Sequence, residues 1–411
     1  MKANESIVRY CIFLFLGFLL LYIDGQDSDG GMSVGQIWKI PVLLFLLYKV
    51  ILHFRHKFIK FRFWYALIKI FNRDTIINIV GNSSNVLRFM ALPLFLSYIE
   101  KNVKKDKAVK ILLYIAHVLI LSFLPYSLGL LEQTHSYIGA DLLGVESLIG
   151  PFLNAHTAAV YLSSSLIVIL FYIRFGKISK EYKLLNFIIF LLGSYFLYET
   201  YVRTGYLILV IGAFIVLLPR KSLLKQITYG IIVLSISYLL IMHFIQTEEV
   251  FRQRIYEQSD TGSGNNNEEV TGSGRIFFWI TSYNLWKNSD DAWHYLFGYG
   301  YNRLKEQQFI ENDLRIGSHN GFLDALSQNG LIGFLLLLLF YIYLFKYNYS
   351  YRKSKYYLLF LAWYISNLSF QLVQGGVFIF YDLLSAFIIL LPKMDIVDSK
   401  KYITIKKRKV S

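Results

Sequence analysis

The sequence predicts an all-α protein, a polytopic membrane helical bundle of about twelve transmembrane helices with one large external loop between the ninth and tenth. Two observations carry this. Apolar residues, 55% of the chain against 17% charged, come in blocks of roughly 15–25, the length that crosses a hydrocarbon core of about 30 Å. The lysines and arginines behind the net charge of +15 cluster in short segments between those blocks, as cytoplasmic membrane loops do. That placement argues against nucleic acid as a partner. Backbone polar groups must be satisfied inside lipid, so the blocks read as helices.

The block 7–23 follows Lys2 and Arg9 and ends in Ile23-Asp24-Gly25-Gln26, with no small-residue cleavage site, so it reads as an anchor and not a signal peptide. It holds Cys11, the single cysteine, which excludes an internal disulfide. Segment 24–36 has no Lys or Arg and is expected outside. After the block 37–53, Arg55, Lys57, Lys60 and Arg62 mark an inside segment, and Lys101, Lys104, Lys105, Lys107 and Lys110 mark another. An even number of spans must separate the two. Block 84–99 is one, and 63–80 is taken as the other despite Lys69, Arg73 and Asp74. Eleven spans would put the basic segment 53–75 on the wrong face.

Blocks 109–130, 156–174, 184–200, 204–218, 226–244, 321–346, 356–372 and 377–391 then alternate without conflict. The chain divides into a membrane domain over 1–244, a large extracytoplasmic loop over 245–320, and a second membrane part with a basic cytoplasmic tail over 321–411. The loop carries eleven acidic and seven basic residues. Its centre, Thr261-Gly262-Ser263-Gly264-Asn265-Asn266-Asn267, is flexible low-complexity sequence, and its flanks 248–258 and 275–288 read as helical.

Three features on the expected outer side could carry chemistry. Arg203, in Glu199-Thr200-Tyr201-Val202-Arg203-Thr204-Gly205, sits where two spans meet almost without a loop; an arginine at that depth is costly unless paired or facing water. Arg275, in Gly272-Ser273-Gly274-Arg275-Ile276-Phe277-Phe278-Trp279, opens a helical stretch beside free backbone N–H groups, a setting for an anion. His319, in Gly317-Ser318-His319-Asn320-Gly321, follows Ser318, which is expected to N-cap the next span, so His319 would open that helix and accept a proton there. Two arginines and a histidine suit transfer from a diphosphate-linked donor. The planar guanidinium forks hold phosphate oxygens and stabilise the leaving group, and the imidazole takes a proton from an attacking hydroxyl.

Arg88, Asn320 and Asp324 are further candidates for binding diphosphate or glycan. His156, in Asn154-Ala155-His156-Thr157, reads as a polar residue opening its span, and His117 and His243 read as packed in the bundle. Asp27-Ser28-Asp29 is a weak metal pattern and Asp290-Asp291 a solvated turn, so no metal and no cofactor are expected.

The ordered series Gly274-Arg275 to Trp279, Phe297-Gly298-Tyr299-Gly300, Ser318-His319-Asn320 and Gly330-Leu331-Ile332-Gly333 resembles the O-antigen ligase and Wzy-type polysaccharide polymerase superfamily. Gly150-Pro151-Phe152-Leu153-Asn154 and the Arg203-Thr204-Gly205 junction extend the likeness, although Val202 stands where many members have serine. The resemblance implies a bacterial cytoplasmic-membrane glycosyltransferase with its site on the extracytoplasmic side. It implies metal-independent, inverting transfer of a glycan from undecaprenyl diphosphate by an arginine pair and a histidine. Those roles fall on Arg203, Arg275 and His319. Polymerases are numerous in capsule and O-antigen loci, so the expectation is a polymerase working on undecaprenyl-diphosphate-linked oligosaccharide among membrane lipid, with a chain-length regulator as partner. The alternatives are a ligase to a terminal acceptor and, from another class, a lipid-linked oligosaccharide flippase. The flippase would carry charges along a central cavity and often a repeat.

Overall fold

The computed structural model describes residues 2–25, five residues between 41 and 48, 56–68, 79–133, 147–152, 154–176, 179–218, 275–289, 291–312, 317–373 and 379–410. Every regular element among the described residues is a helix. In order they are α1 (Lys2–Gly25), α2 (Lys57–Ile68), α3 (Ile79–Asn102), α4 (Lys105–Leu121), α5 (Leu124–Ser127), α6 (Ala155–Phe175) and α7 (Lys180–Glu199). There follow α8 (Arg203–Leu217), α9 (Arg275–Lys287), α10 (Ala292–Phe297), α11 (Tyr301–Asn312), α12 (Gly321–Tyr349), α13 (Tyr357–Val373) and α14 (Ile379–Val410). Lys105–Ser127, Ala155–Phe175 and Gly321–Tyr349 are long and apolar enough to cross a membrane, and Val8–Tyr22, Arg203–Leu217 and Tyr357–Val373 are shorter apolar helices. The expected span 226–244, the loop flank 248–258, His243, Asp290 and the Asp27-Ser28-Asp29 pattern lie outside the described residues. Where 63–80 was expected, α2 begins at Lys57 and is described as far as Ile68.

Helix α6 is the centre of the bundle, buried along almost its whole length and packed against α4, α7, α8 and α13. Its small residues make this possible. A Cβ placed on Gly205 of α8 would lie 2.8 Å from Ala159 Cβ and 2.8 Å from Leu197 Cδ1, so only glycine lets α8 approach this closely. Ser163 Oγ donates to the Gly205 carbonyl at 2.8 Å across the same contact. In lipid such an interhelical hydrogen bond contributes only about 0.6 kcal/mol on average, so close van der Waals packing, not the hydroxyl, dominates this seam.

The packing sorts the helix ends into two groups. One end gathers the C-termini of α3, α6, α8 and α12 and the N-termini of α2, α4 and α13. There His56 and Glu100 share a 2.7 Å hydrogen bond, Lys393 of α14 also donates to Glu100, and the His56 ring packs 4.7 Å from that of Tyr347. Lys105 pairs with Asp395 at 3.6 Å, Ser354 Oγ donates to Asp395 at 2.7 Å, and Lys355 Nζ reaches the Phe175 carbonyl. The basic segments around 56, 100 and 353 thus meet at one end, as their charge pattern predicted. Glu100 lies just beyond the expected span 84–99. Burial alone would raise its carboxyl, but hydrogen bonds from His56 and Lys393 together outweigh that and hold it at about 2.

Between the two ends lies a polar layer that includes Arg62, which the charge pattern had assigned to an inside segment but which α2 carries into the bundle. Arg62 and Asp382 are both buried. The Arg62 guanidinium stands 5.3 Å from the Tyr65 ring centroid and 5.4 Å from that of Phe340. Tyr341 OH donates to Asn367 Oδ1 at 2.8 Å, Asn367 Nδ2 donates to Tyr381 OH at 3.0 Å, and the Tyr381 N–H donates to Tyr161 OH at 3.1 Å. Satisfied this way, polar groups at that depth tie α6, α12, α13 and α14 together. His117 is buried as expected, 2.6 Å from Tyr10 OH and 3.0 Å from Asn186 Oδ1.

Candidate functional site

The opposite end gathers the N-termini of α6, α8, α9 and α12 and the C-terminus of α13. Asn154 caps α6, accepting from the Thr157 N–H at 2.8 Å and from its hydroxyl at 2.9 Å. The segment before it is held by a Leu148 N–H to Glu199 carbonyl bond of 2.8 Å and by the Gln133 carboxamide, which accepts from Ile149 and Gly150. The reversal from α7 to α8 takes three residues, with Tyr201 at φ 52 and Val202 buried. That sharp turn leaves Arg203 exposed as the first residue of α8.

Arg275 is the first residue of α9 and is half-buried; its Nη1 donates to the Val373 carbonyl at 2.8 Å, the last residue of α13. Helix α13 also packs on α8, where Ser366 Oγ donates to the Ile208 carbonyl at 3.1 Å. Val373 lies two turns beyond Ser366, about 10 Å, and Arg203 lies about 8 Å before Ile208 along an antiparallel axis. Both arginines therefore stand at the same level of the bundle.

His319 does not open a helix. The N-cap of α12 is Asn320, whose side chain accepts from the Phe322 and Leu323 N–H groups at 3.0 and 3.1 Å. Ser318 was the expected cap, but it is buried and its hydroxyl turns to other partners. It accepts from the Asn320 N–H at 3.0 Å and lies 2.7 Å from Asp324 Oδ1, which also accepts from the Ser318 N–H at 2.9 Å. His319 between them takes a left-handed backbone, φ 53. Both its neighbours are pinned, so the imidazole is presented from a rigid turn. Its ring centroid is 6.0 Å from Phe278, one turn after Arg275 on α9, and 6.4 Å from His156 on α6.

The loop helices are clamped to α12. At Gly330, with φ 65 and ψ −172, α12 breaks its helical path. The freed carbonyls of Ser327 and Gln328 take the N–H groups of Tyr299 and Gly300 at 2.9 and 3.1 Å. A Cβ on Gly298 would lie 2.4 Å from the Gln328 carbonyl carbon, and one on Gly330 would lie 2.3 Å from Leu296 backbone. The Phe297–Gly300 and Asn329–Gly330 motifs are thus two halves of one backbone clasp. Helix α9 is braced on α11 by Gln308, which donates to the Phe278 carbonyl at 2.8 Å, and by Asn312, which donates to Thr281 Oγ1 at 3.0 Å. Asp291 caps α10, and the His294 N–H it accepts holds its carboxyl below the usual range.

The structure therefore brings His319 together with the start of α9, and sets Arg203 and Arg275 at one level of the bundle. Asn320 and Asp324 lie in the same turn, with oxygens engaged in its own hydrogen bonds. Arg88 is on α3, and its side chain lies outside the described residues. His156 was read as a helix opener. Asn154 performs that task, and contact with His319 was visible only in three dimensions. Four helix N-termini point to this end, and their partial positive charges favour an anion. Among the described residues no cluster of histidine, cysteine and carboxylate side chains is fit to hold a metal.

No curated protein matches the chain. Residues 187–338 match the family model described as O-antigen ligase, a stretch that holds Arg203, Arg275, the backbone clasp and the His319 turn. Through that stretch the chain, an integral membrane protein, carries an O-antigen ligase domain, and it is similar there to a family of glycosyltransferase-like enzymes.

Proposed function

We propose that the protein is a polysaccharide polymerase of the bacterial cytoplasmic membrane. It transfers a growing glycan from undecaprenyl diphosphate to the next lipid-linked repeat unit at the outer face. The observation that supports this best is the His319 turn, held rigidly against the helix that Arg275 opens. Arg203 and Arg275 hold the diphosphate by their planar forks. His319 takes the proton of the acceptor hydroxyl as its oxygen bonds to the anomeric carbon. The bond from that carbon to the diphosphate breaks from the opposite side, which inverts the centre, and the arginines stabilise the departing negative charge. The arginines supply the positive charge that a metal would otherwise bring, so transfer is expected to survive a chelator.

Purified protein in nanodiscs, given its lipid-linked repeat unit as sole substrate with EDTA present, should build a ladder of products. His319→Ala should build none. The match to the O-antigen ligase family favours a second reading, ligation to a terminal acceptor. In that case wild type builds no ladder from the repeat unit alone, and product forms once a separate acceptor lipid is added.

A further inference from the structure

We propose that His156 is a second substrate-contacting imidazole of this site, which together with His319 cradles the attacking hydroxyl of the acceptor sugar; this rests on the glycosyl-transfer reading above. The two histidines are 163 positions apart in sequence, and the fold sets their ring centroids 6.4 Å apart at an interplanar angle of 55°. An imidazole nitrogen lies about 1.1 Å from its ring centre, so the rings bring no two nitrogens closer than about 4 Å. That is beyond a direct hydrogen bond. One oxygen atom between two nitrogens, with hydrogen bonds of about 2.8 Å to each, fits such a gap.

Packing on both sides supports this placement. His156 sits one turn before Ala159, the residue that touches α8 beside Gly205, so α6 links the His319 turn to the helix that Arg203 opens. The cap of α6 is already supplied by Asn154, so helix initiation does not account for an imidazole at position 156. Both residues are half-buried.

In the transfer step, one nitrogen of His319 accepts the hydroxyl proton. The hydroxyl oxygen bonds to the donor's anomeric carbon, and the bond to the diphosphate breaks with its electron pair going to the leaving group. His156 keeps its own proton and donates that N–H to a lone pair of the same oxygen. It fixes which lone pair attacks.

The test uses the full chain in nanodiscs and a lipid extract of cells that lack it, which holds both donor and acceptor. Turnover is read beside the affinity for undecaprenyl diphosphate. For His156→Ala the expected result is a fall in turnover of about thirtyfold or more with undecaprenyl diphosphate affinity within about twofold of wild type. His156→Asn, whose carboxamide still donates an N–H, should recover about fivefold of that loss. Turnover of His156→Ala within about threefold of wild type would overturn the assignment. So would equal losses in both variants accompanied by loss of undecaprenyl diphosphate binding, which would mark a structural role at the start of α6. A wild-type protein that makes no product from the extract overturns the glycosyl-transfer reading itself, and this assignment with it.

Discussion

The two ends of the bundle are both rich in polar side chains and use them in opposite ways. At the His56 end, charge is matched with charge: Glu100 with Lys393, a pair that His56 joins by a hydrogen bond, and Lys105 with Asp395. At the His319 end, side chains are spent on backbone geometry. Asp324 fixes Ser318, Asn320 caps α12, and Arg275 donates to a main-chain carbonyl. The first arrangement joins helices and neutralises them. The second holds a turn and several helix starts in register, and leaves their positive ends facing one region. The comparison separates residues that hold the bundle together from residues that shape a site.

Substitutions can break that division or sharpen it. His319→Ala should have the largest effect, a loss of transfer of about 10³-fold with the melting temperature little changed, read by the ladder assay and a thermal melt side by side. Loss of the fold instead would move His319 to the structural group. Arg203→Lys and Arg275→Lys should each lower turnover by about 10- to 100-fold, because lysine keeps charge without the fork. Full activity in both would remove the diphosphate clamp. Gly330→Ala puts a Cβ against Leu296 backbone at a left-handed position, and should destabilise the clasp by about 2–4 kcal/mol, with transfer falling as the loop helices shift. Limited proteolysis between α9 and α11 would report that loosening.

Glu100→Gln should have the smallest effect on transfer. It should cost about 1–2 kcal/mol of stability and leave turnover of the folded protein unchanged. The Glu100 carboxyl is held at about 2, below its unfolded value of about 4.3. Its contribution is therefore fully present above about pH 4.3 and is lost as pH falls toward 2. A melting curve that Glu100→Gln flattens over that window would confirm it, and one with unchanged slope would detach Glu100 from the ion cluster.

Much of this was legible in the sequence, for reasons that particular residues make clear. The all-helical class followed from block length, because lipid requires backbone polar groups to be satisfied within each segment. Arg203, Arg275 and His319 stood out because cations and a histidine next to apolar blocks are costly without a reason. Other features were misjudged or missed. Ser318 looked like a cap, yet Asn320 caps because the left-handed turn at His319 delays the helix by two residues. Gly298 and Gly330 sat in motifs that suggested chemistry, and they turned out to allow two backbones to touch. Arg62 and Asp382 share one buried layer from opposite parts of the chain, as do His156 and His319 at the site. A linear reading has no signal for such meetings.

The left-handed backbone of His319 also bears on selection. A side chain with a Cβ is disfavoured in that conformation by roughly 1 kcal/mol, and glycine would relieve it. His319→Gly should then melt above His319→Ala while being equally inactive. A lineage selected only for a robust fold would drift toward glycine at this position. A histidine kept there would record a trade of robustness for activity, and a survey of which residues tolerate position 319 under selection for folding alone, then for surface glycan, would make that trade visible.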